Sequence, residues 1–170
     1  MSEEEIVRLC QTSPNLADTP VGRLLPVAPV YVLAANVVVK VGFLGGAHAP
    51  EAAAMTVVRQ QTNIPVPEAY RSFVHGSNSY LVMEYVPGEP LDRCWEDLSH
   101  WEKVQIAFTL RNYVNQMRRI RTPQIDRQVP GPITDDPSCP LQCQIPALGE
   151  YPAGPFDSYA HLREIGRAHV

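Results

Sequence analysis

The residue of this chain best placed to hold an anion is a lysine inside a run of valines. Lys40 interrupts Val37-Val-Val-Lys-Val41, and strand alternation puts Val38, Lys40 and Gly42 on one face and Val37, Val39 and Val41 on the other. Such a lysine either carries its ammonium to solvent and deters edge-to-edge association, or points at an anion that the protein needs. The next element offers it a partner. Glu51, Met55 and Val58 recur at i, i+4 and i+7 of a helical pattern, so Glu51 shares the face that packs on the sheet. A carboxylate turned toward a core is costly unless paired, and Lys40 is the nearest cation on the preceding element. A place in the first helical turn, where the helix dipole favours a carboxylate, accounts for Glu51 as well, and both effects can hold at once. A third feature is Tyr80-Leu-Val-Met-Glu-Tyr-Val-Pro-Gly-Glu-Pro-Leu91, which begins as a strand and stops at Pro87-Gly88. A strand that loses its partner leaves main-chain N–H and C=O groups able to hold a flat, polar-edged ligand such as adenine, although many edge strands end in Pro-Gly with no ligand.

The elements that must position these groups follow from local pattern. Residues 1–18 form an N-terminal arm, acidic at its start, with one apolar segment from Ile6 to Leu9 that reads as a brief helix or a loose arm. Val27 to Leu33 and Val37 to Val41 read as a hairpin around Ala34-Ala35-Asn36. Gly42 to Ala49 reads as a loop, Pro50 as a first helical residue, and Glu51 to Gln61 as a helix. Asn63-Ile-Pro-Val-Pro67 is extended, because each proline pushes its predecessor out of helical geometry. Ala69 to Val74 and Ser79 to Val86 read as a second hairpin around His75-Gly76-Ser77-Asn78. The sum is an antiparallel sheet with one helix packed on it, an α+β arrangement.

Beyond the Pro-Gly stop, Ser99 and Glu102 match a capping box. From Trp101 to Ile120 apolar residues recur at helical spacing in a wide stripe, which predicts a well-buried helix. Arg118, Arg119 and Arg121 fall at its C-terminal end, where the helix dipole favours cations. Thr122 to Pro155 is a long Pro-rich loop, and Phe156 to Glu164 starts a further helix with Asp157 or Ser158 as cap.

The 170 residues suffice for one domain with a sizeable core. Apolar residues make up 45% and charged residues 19%, an ordinary globular balance. A formal net charge of -4 argues against a nucleic-acid partner, which needs clustered Lys and Arg. No apolar run reaches membrane-spanning length and the N-terminus is acidic, so no membrane association is expected and a cytoplasmic location is the default. The 4 cysteines, Cys10, Cys94, Cys139 and Cys143, are expected as free thiols. Cys139 and Cys143 lack the two further ligands that a metal site would need nearby.

A mid-strand lysine, a glutamate on the next helix, a hairpin, and a strand ending in Met-Glu-Tyr-Val-Pro-Gly stand in an order that resembles the small lobe of the protein-kinase-like fold. More closely, the chain is similar to the aminoglycoside phosphotransferase family, in the form common among fungal proteins of unassigned substrate. The segments that carry this are Val38 to Gly42, Glu51 to Met55, Ile64 to Pro67, Tyr80 to Leu91, Leu98-Ser99 with the helix after it, Leu110 to Val114, and Gly154 to Phe156. The resemblance implies a small lobe with hinge over residues 19–91, a first large-lobe helix over 92–122, and a Pro-rich loop with the start of a further helix over 123–164. It implies that Lys40 contacts the α- and β-phosphates of ATP and that Glu51 holds Lys40 in place. Met83 would then back the adenine pocket, with the Glu84 carbonyl and the Val86 amide bonding the adenine edge. Main chain would matter more than side chain at Glu84 and Tyr85.

Two departures qualify the carry-over. Arg23 to Pro29, before Lys40, has no glycine and two prolines, so no Gly-x-Gly-x-x-Gly loop precedes the lysine. None of the 5 histidines begins the His-Gly-Asp-x-x-x-x-Asn loop with which the family orients the acceptor hydroxyl and holds Mg2+. Asp135 and Asp136 read as turn residues. The chain is therefore expected to stop before the catalytic half, with no catalytic or metal-binding residues of its own. Mg2+ belongs only to a full-length relative, and the small-molecule acceptor is not named by the sequence. Residues 165–170, within Glu164-Ile-Gly-Arg-Ala-His-Val170, resemble the translation of a sequencing-adapter oligonucleotide and are expected to be a non-native tail. The alternatives are a non-catalytic nucleotide-binding or protein-interaction module, and a plain α+β domain whose lysine and glutamate are structural. An assay of ATP consumption by the 170-residue chain is expected to read background; turnover dependent on Lys40 would contradict that expectation.

Overall fold

The computed structural model describes residues 1–16, 28–43 and 48–121, together with Ile133, Ser158, Ala160 and His161. Within them the order is α1 (Glu3–Thr12), β1 (Val30–Ala34), β2 (Val37–Phe43), α2 (His48–Gln61), β3 (Ala69–His75), β4 (Asn78–Glu84), α3 (Leu91–Cys94) and α4 (His100–Met117). The four strands form one sheet in the order β1-β2-β4-β3, with every neighbouring pair antiparallel. The fold is α+β, with the sheet and the helix after β2 where the sequence pattern puts them.

Strand parity decides what each face of the sheet does. Val39, Val41, Tyr80 and Val82 are buried on one face and form a core with Ile6 and Cys10 of α1. Phe73 and Tyr80 stack there with ring centroids 5.0 Å apart, the cross-strand aromatic contact that favours this register. The opposite face carries Val38, Lys40 and Gly42 of β2 against Met83, Leu81 and Ser79 of β4. Leu81, at 0% exposure, is its centre.

The amino-terminal segment is a helix rather than an arm. Ser2 caps it, its side chain accepting from the Glu5 N–H at 3.2 Å, and three glutamates fill the first turn, where the dipole favours them. The chain beyond α1 then covers the free side of β1, with the Leu16 N–H donating to the Val30 carbonyl at 2.7 Å. An otherwise open sheet edge is thereby protected.

Three expectations need correction. The helix expected from Glu51, with Pro50 as its first residue, starts at His48, so Pro50 lies two residues deeper in its first turn, where the missing N–H still costs nothing. Gly42 and Phe43 belong to β2, and His48 and Ala49 to α2, which leaves residues 44–47 of the expected loop outside the described residues. The largest difference is at α4. The expected capping box forms, with the Ser99 N–H donating to Glu102 Oε2 at 2.8 Å and the Ser99 hydroxyl accepting from the Glu102 N–H at 3.3 Å. Yet no residue of α4 is buried: Trp101 is 68% and Phe108 66% exposed. An apolar stripe records what a helix can bury, not whether a neighbour is present, and among the described residues no strand or helix covers this one. Only Ile120, just past its end, is buried.

Arg23 to Val27, Asp135, Asp136, Cys139, Cys143 and residues 165–170 lie outside the described residues, as does most of the Pro-rich loop. At the expected further helix, the Ser158 hydroxyl accepts from the His161 N–H at 3.3 Å, an N-cap geometry. Cys10 and Cys94 are free thiols, and burial pushes the Cys10 thiol up from its ordinary range. Urea unfolding should find Leu81→Ala destabilised by about 2–5 kcal/mol and Ile6→Ala by about 2–4 kcal/mol, the cost of deleting buried side chains. An α1 that merely trailed from the sheet would leave Ile6→Ala within about 0.5 kcal/mol of the parent.

Candidate functional site

Lys40 lies in the middle of β2, opposite Val30 on β1 and Leu81 on β4. Its backbone is therefore fixed on both sides, and its side chain rises from the face that α2 approaches. Glu51 sits in the first turn of α2. The Lys40 ammonium donates to both carboxylate oxygens, at 2.8 Å to Oε1 and 2.9 Å to Oε2. The two side chains are 28% and 34% exposed, so the pair is half-buried and open on one side. Of the two accounts of Glu51, pairing with Lys40 and placement in the first turn, both hold.

A third group completes the pair. His48, three residues before Glu51 on the same helix face, brings Nδ1 to 3.2 Å from Glu51 Oε2. The His48 hydrogen bond, and then the Lys40 ammonium, hold the Glu51 carboxyl below its usual range against the opposing effect of burial. Glu51 is thus an anion with the Lys40 ammonium on both its oxygens and His48 Nδ1 beside one of them. Sequence reasoning missed His48. The available signal was its i, i+3 relation to Glu51, which becomes visible only if the helix is started two residues before Pro50.

The other end of the site is the exit of β4. Met83 is half-buried opposite Val38, on the sheet face that carries Lys40. Past Glu84 the strand leaves its neighbours. The Glu84 N–H still donates to the Glu68 carbonyl at 2.9 Å, and the Tyr85 N–H to the Asn36 carbonyl at 2.9 Å. The Val86 N–H makes no hydrogen bond among the described residues. On the side toward β3, the Glu68 N–H donates to the Glu84 carboxylate at 3.1 Å and not to the Glu84 carbonyl. Gly88, with φ 144°, then turns the chain away in a conformation that a Cβ would resist.

The Glu84 side chain therefore does more than its main chain alone. Its carboxylate lies 3.9 Å from Arg59 of α2, whose guanidinium also donates to the Val66 carbonyl at 3.1 Å and lies 3.7 Å from the Glu68 carboxylate. One helix thus anchors both ends of the site: Glu51 in its first turn holds Lys40, and Arg59 in its last turn holds the exit of β4.

The structure brings Lys40 and Glu51 into contact. It places Met83 on the same sheet face, one pleat further along β4 than Leu81, and leaves Glu84 and Val86 at the strand exit without direct contact to Lys40. Among the described residues, cavities lie elsewhere: one of about 280 Å³ between Met55, Arg59 and Glu68, and one of about 550 Å³ lined by Gln60, Gln61, Thr62, Asn63, Asn112, Gln116 and Arg119. Neither includes the five residues singled out from the sequence. Chemically, a half-exposed ammonium on a rigid strand suits a phosphate oxygen, and a lone exposed N–H beside a strand-end carbonyl suits the edge of a purine. Among the described residues no three His, Cys, Asp or Glu side chains converge.

No family model matches the chain, and no curated protein matches it. Among the described residues no helix is long and apolar enough to cross a membrane.

The lowered Glu51 carboxyl has a consequence for acid stability. A group whose folded-state pKa lies below its unfolded value stabilises the fold above the unfolded value, and that contribution disappears as the pH falls through the folded one. Wild type should lose stability as the pH falls below the usual glutamate range. Glu51→Gln should show a shallower loss over that interval and a neutral-pH cost of no more than about 1 kcal/mol, since the pair is partly open to solvent. Equal acid limbs in urea melts of the two proteins would show that Glu51 is not held as an anion.

Proposed function

We propose that this chain is the small lobe of a kinase-like nucleotide-binding domain, and more narrowly a member of the aminoglycoside phosphotransferase family. The observation that carries the reading is the two-oxygen contact of Glu51 with Lys40 on a strand whose neighbour, β4, ends beside the unbonded Val86 N–H. A structural lysine needs no such arrangement, because a surface ion pair contributes little to stability. A lysine that must meet a phosphate needs its ammonium held in one place, and a carboxylate engaging both its own oxygens does that.

On this reading the ligand is ATP or ADP. Lys40 meets the phosphates, Glu51 fixes Lys40, Met83 lines the back of the base pocket, and the Glu84 carbonyl and Val86 N–H meet the adenine edge. Transfer of the γ-phosphoryl to a small-molecule hydroxyl is the activity of the family. It requires an aspartate to orient the acceptor and carboxamide and carboxylate ligands for Mg2+. The sequence contains no His-Gly-Asp-x-x-x-x-Asn, so binding without turnover is the activity proposed for these 170 residues.

A second reading, an interaction module, is favoured by the apolar side chains exposed on α4, among them Trp101, Phe108, Leu110 and Met117. It predicts that ADP does not bind.

Calorimetric titration with Mg2+-free ADP separates the two. Lys40→Ala should abolish measurable binding. Val86→Pro removes an N–H that the fold does not use; it should leave the melting temperature nearly unchanged and weaken ADP about tenfold, the worth of one hydrogen bond at about 1.4 kcal/mol. Binding unaffected by both substitutions would remove the nucleotide reading.

A further inference from the structure

Two buried polar atoms near the Lys40–Glu51 pair have no hydrogen-bond partner among the described residues: Nε2 of His48 and the hydroxyl oxygen of Ser79. His48 is 5% and Ser79 2% exposed, so neither group is satisfied by bulk water. Buried polar groups without partners are rare because each costs about 1–3 kcal/mol, and two side by side call for an explanation.

Both border one space. Ser79 pairs with Gly42 across β2 and β4. A Cβ on Gly42 would lie 2.8 Å from the Ser79 hydroxyl and 2.9 Å from His48 Nε2. The two orphan atoms therefore converge on the space that glycine leaves open above β2. On the other side of the ring, Nδ1 faces a Glu51 carboxylate held as an anion. A carboxylate only accepts hydrogen bonds, so Nδ1 must carry a proton. In the neutral imidazole Nε2 is then an acceptor, and among the described residues the Ser79 hydroxyl borders the same space without bonding to it.

We infer that His48, buried beside Gly42 and Ser79, is a positioning residue for the candidate nucleotide site: its Nδ1–H donates to Glu51, and Glu51 holds Lys40. This rests on the nucleotide-site reading for its functional consequence, while the contacts of Glu51 with His48 and Lys40 stand without it. Lys40 occupies one side of the Glu51 carboxylate and His48 the other. Glu51 is thereby restrained against swinging away with its helix turn, and Lys40 keeps its aim when no phosphate is present. Gly42 matters here because a Cβ at that position would press on the His48 ring and the Ser79 hydroxyl.

The test has three readouts. Long-range ¹H–¹⁵N spectra of the wild-type chain at neutral pH report which His48 nitrogen holds the proton. Protonated Nδ1 is expected, and an Nε2–H tautomer with bare Nδ1 would overturn the inference, since a lone pair cannot face the carboxylate. Side-chain ¹³C titration of Glu51 follows its carboxyl: it should move up toward the usual range in His48→Ala and in Gly42→Ala, and an unmoved titration in both would overturn the positioning role. Calorimetry with Mg2+-free ADP should find His48→Ala weakened about tenfold and His48→Asn, which keeps an N–H near the Nδ1 position, restored to within about threefold of wild type, where tenfold corresponds to about 1.4 kcal/mol. Equal losses in Ala and Asn would overturn the role as well. If wild type binds no ADP, the nucleotide reading fails, while the first two readouts still decide whether His48 positions Glu51.

Discussion

The arrangement depends on one constraint: a carboxylate at the start of α2 faces a sheet and must be neutralised there. Glu51 meets this with Lys40 from β2 and His48 from its own helix. Because the lysine is held on a strand paired at both edges, the ion pair fixes where the first turn of α2 can lie. The last turn is fixed separately, by Arg59 against the Val66 carbonyl and the carboxylates of Glu68 and Glu84. A single helix thus ties the mid-strand cation to the strand exit. Pairs of this kind contribute modestly to stability and strongly to geometry, which is why their presence says more about function than about folding.

The sheet supports this by giving its faces different work. The face under α1 is closed and apolar, with Val39, Val41, Tyr80 and Val82 packed on Ile6 and Cys10. The face under α2 mixes Val38 and Leu81 with Lys40, Gly42 and Ser79, so polar groups there are held by apolar neighbours that are themselves well buried. Alternation along β2 and β4 separates the two duties without a change of fold. Rigid support is what a preorganised site needs, since ordering it at the moment of binding would reduce affinity.

Much of this was legible in the sequence where the information is local. The valine run around Lys40, the helical offset of Glu51, the Ser99–Glu102 capping box and the Pro-Gly exit of β4 each depend on residues a few positions apart, and all four features form. What was not legible depends on tertiary partners. His48 and Ser79 both come to the space above Gly42 only because β2 and β4 pair in one register and α2 begins before its proline. Read singly, the three residues are an isolated histidine, a strand serine and a loop glycine. The Glu84 carboxylate gained its role through Arg59, far away in the chain. The apolar stripe of α4 was visible, but the pattern cannot say what covers it, and the expected burial did not follow.

The most direct test of the central claim is a map of backbone amide shifts as Mg2+-free ADP is added to the 15N-labelled chain. The account predicts that the largest changes fall at Val86 and around Lys40 and Gly42, with the middle of α4 unmoved. No shifts at saturating ADP, or shifts confined to the amide-lined groove between Gln61 and Gln116, would contradict it.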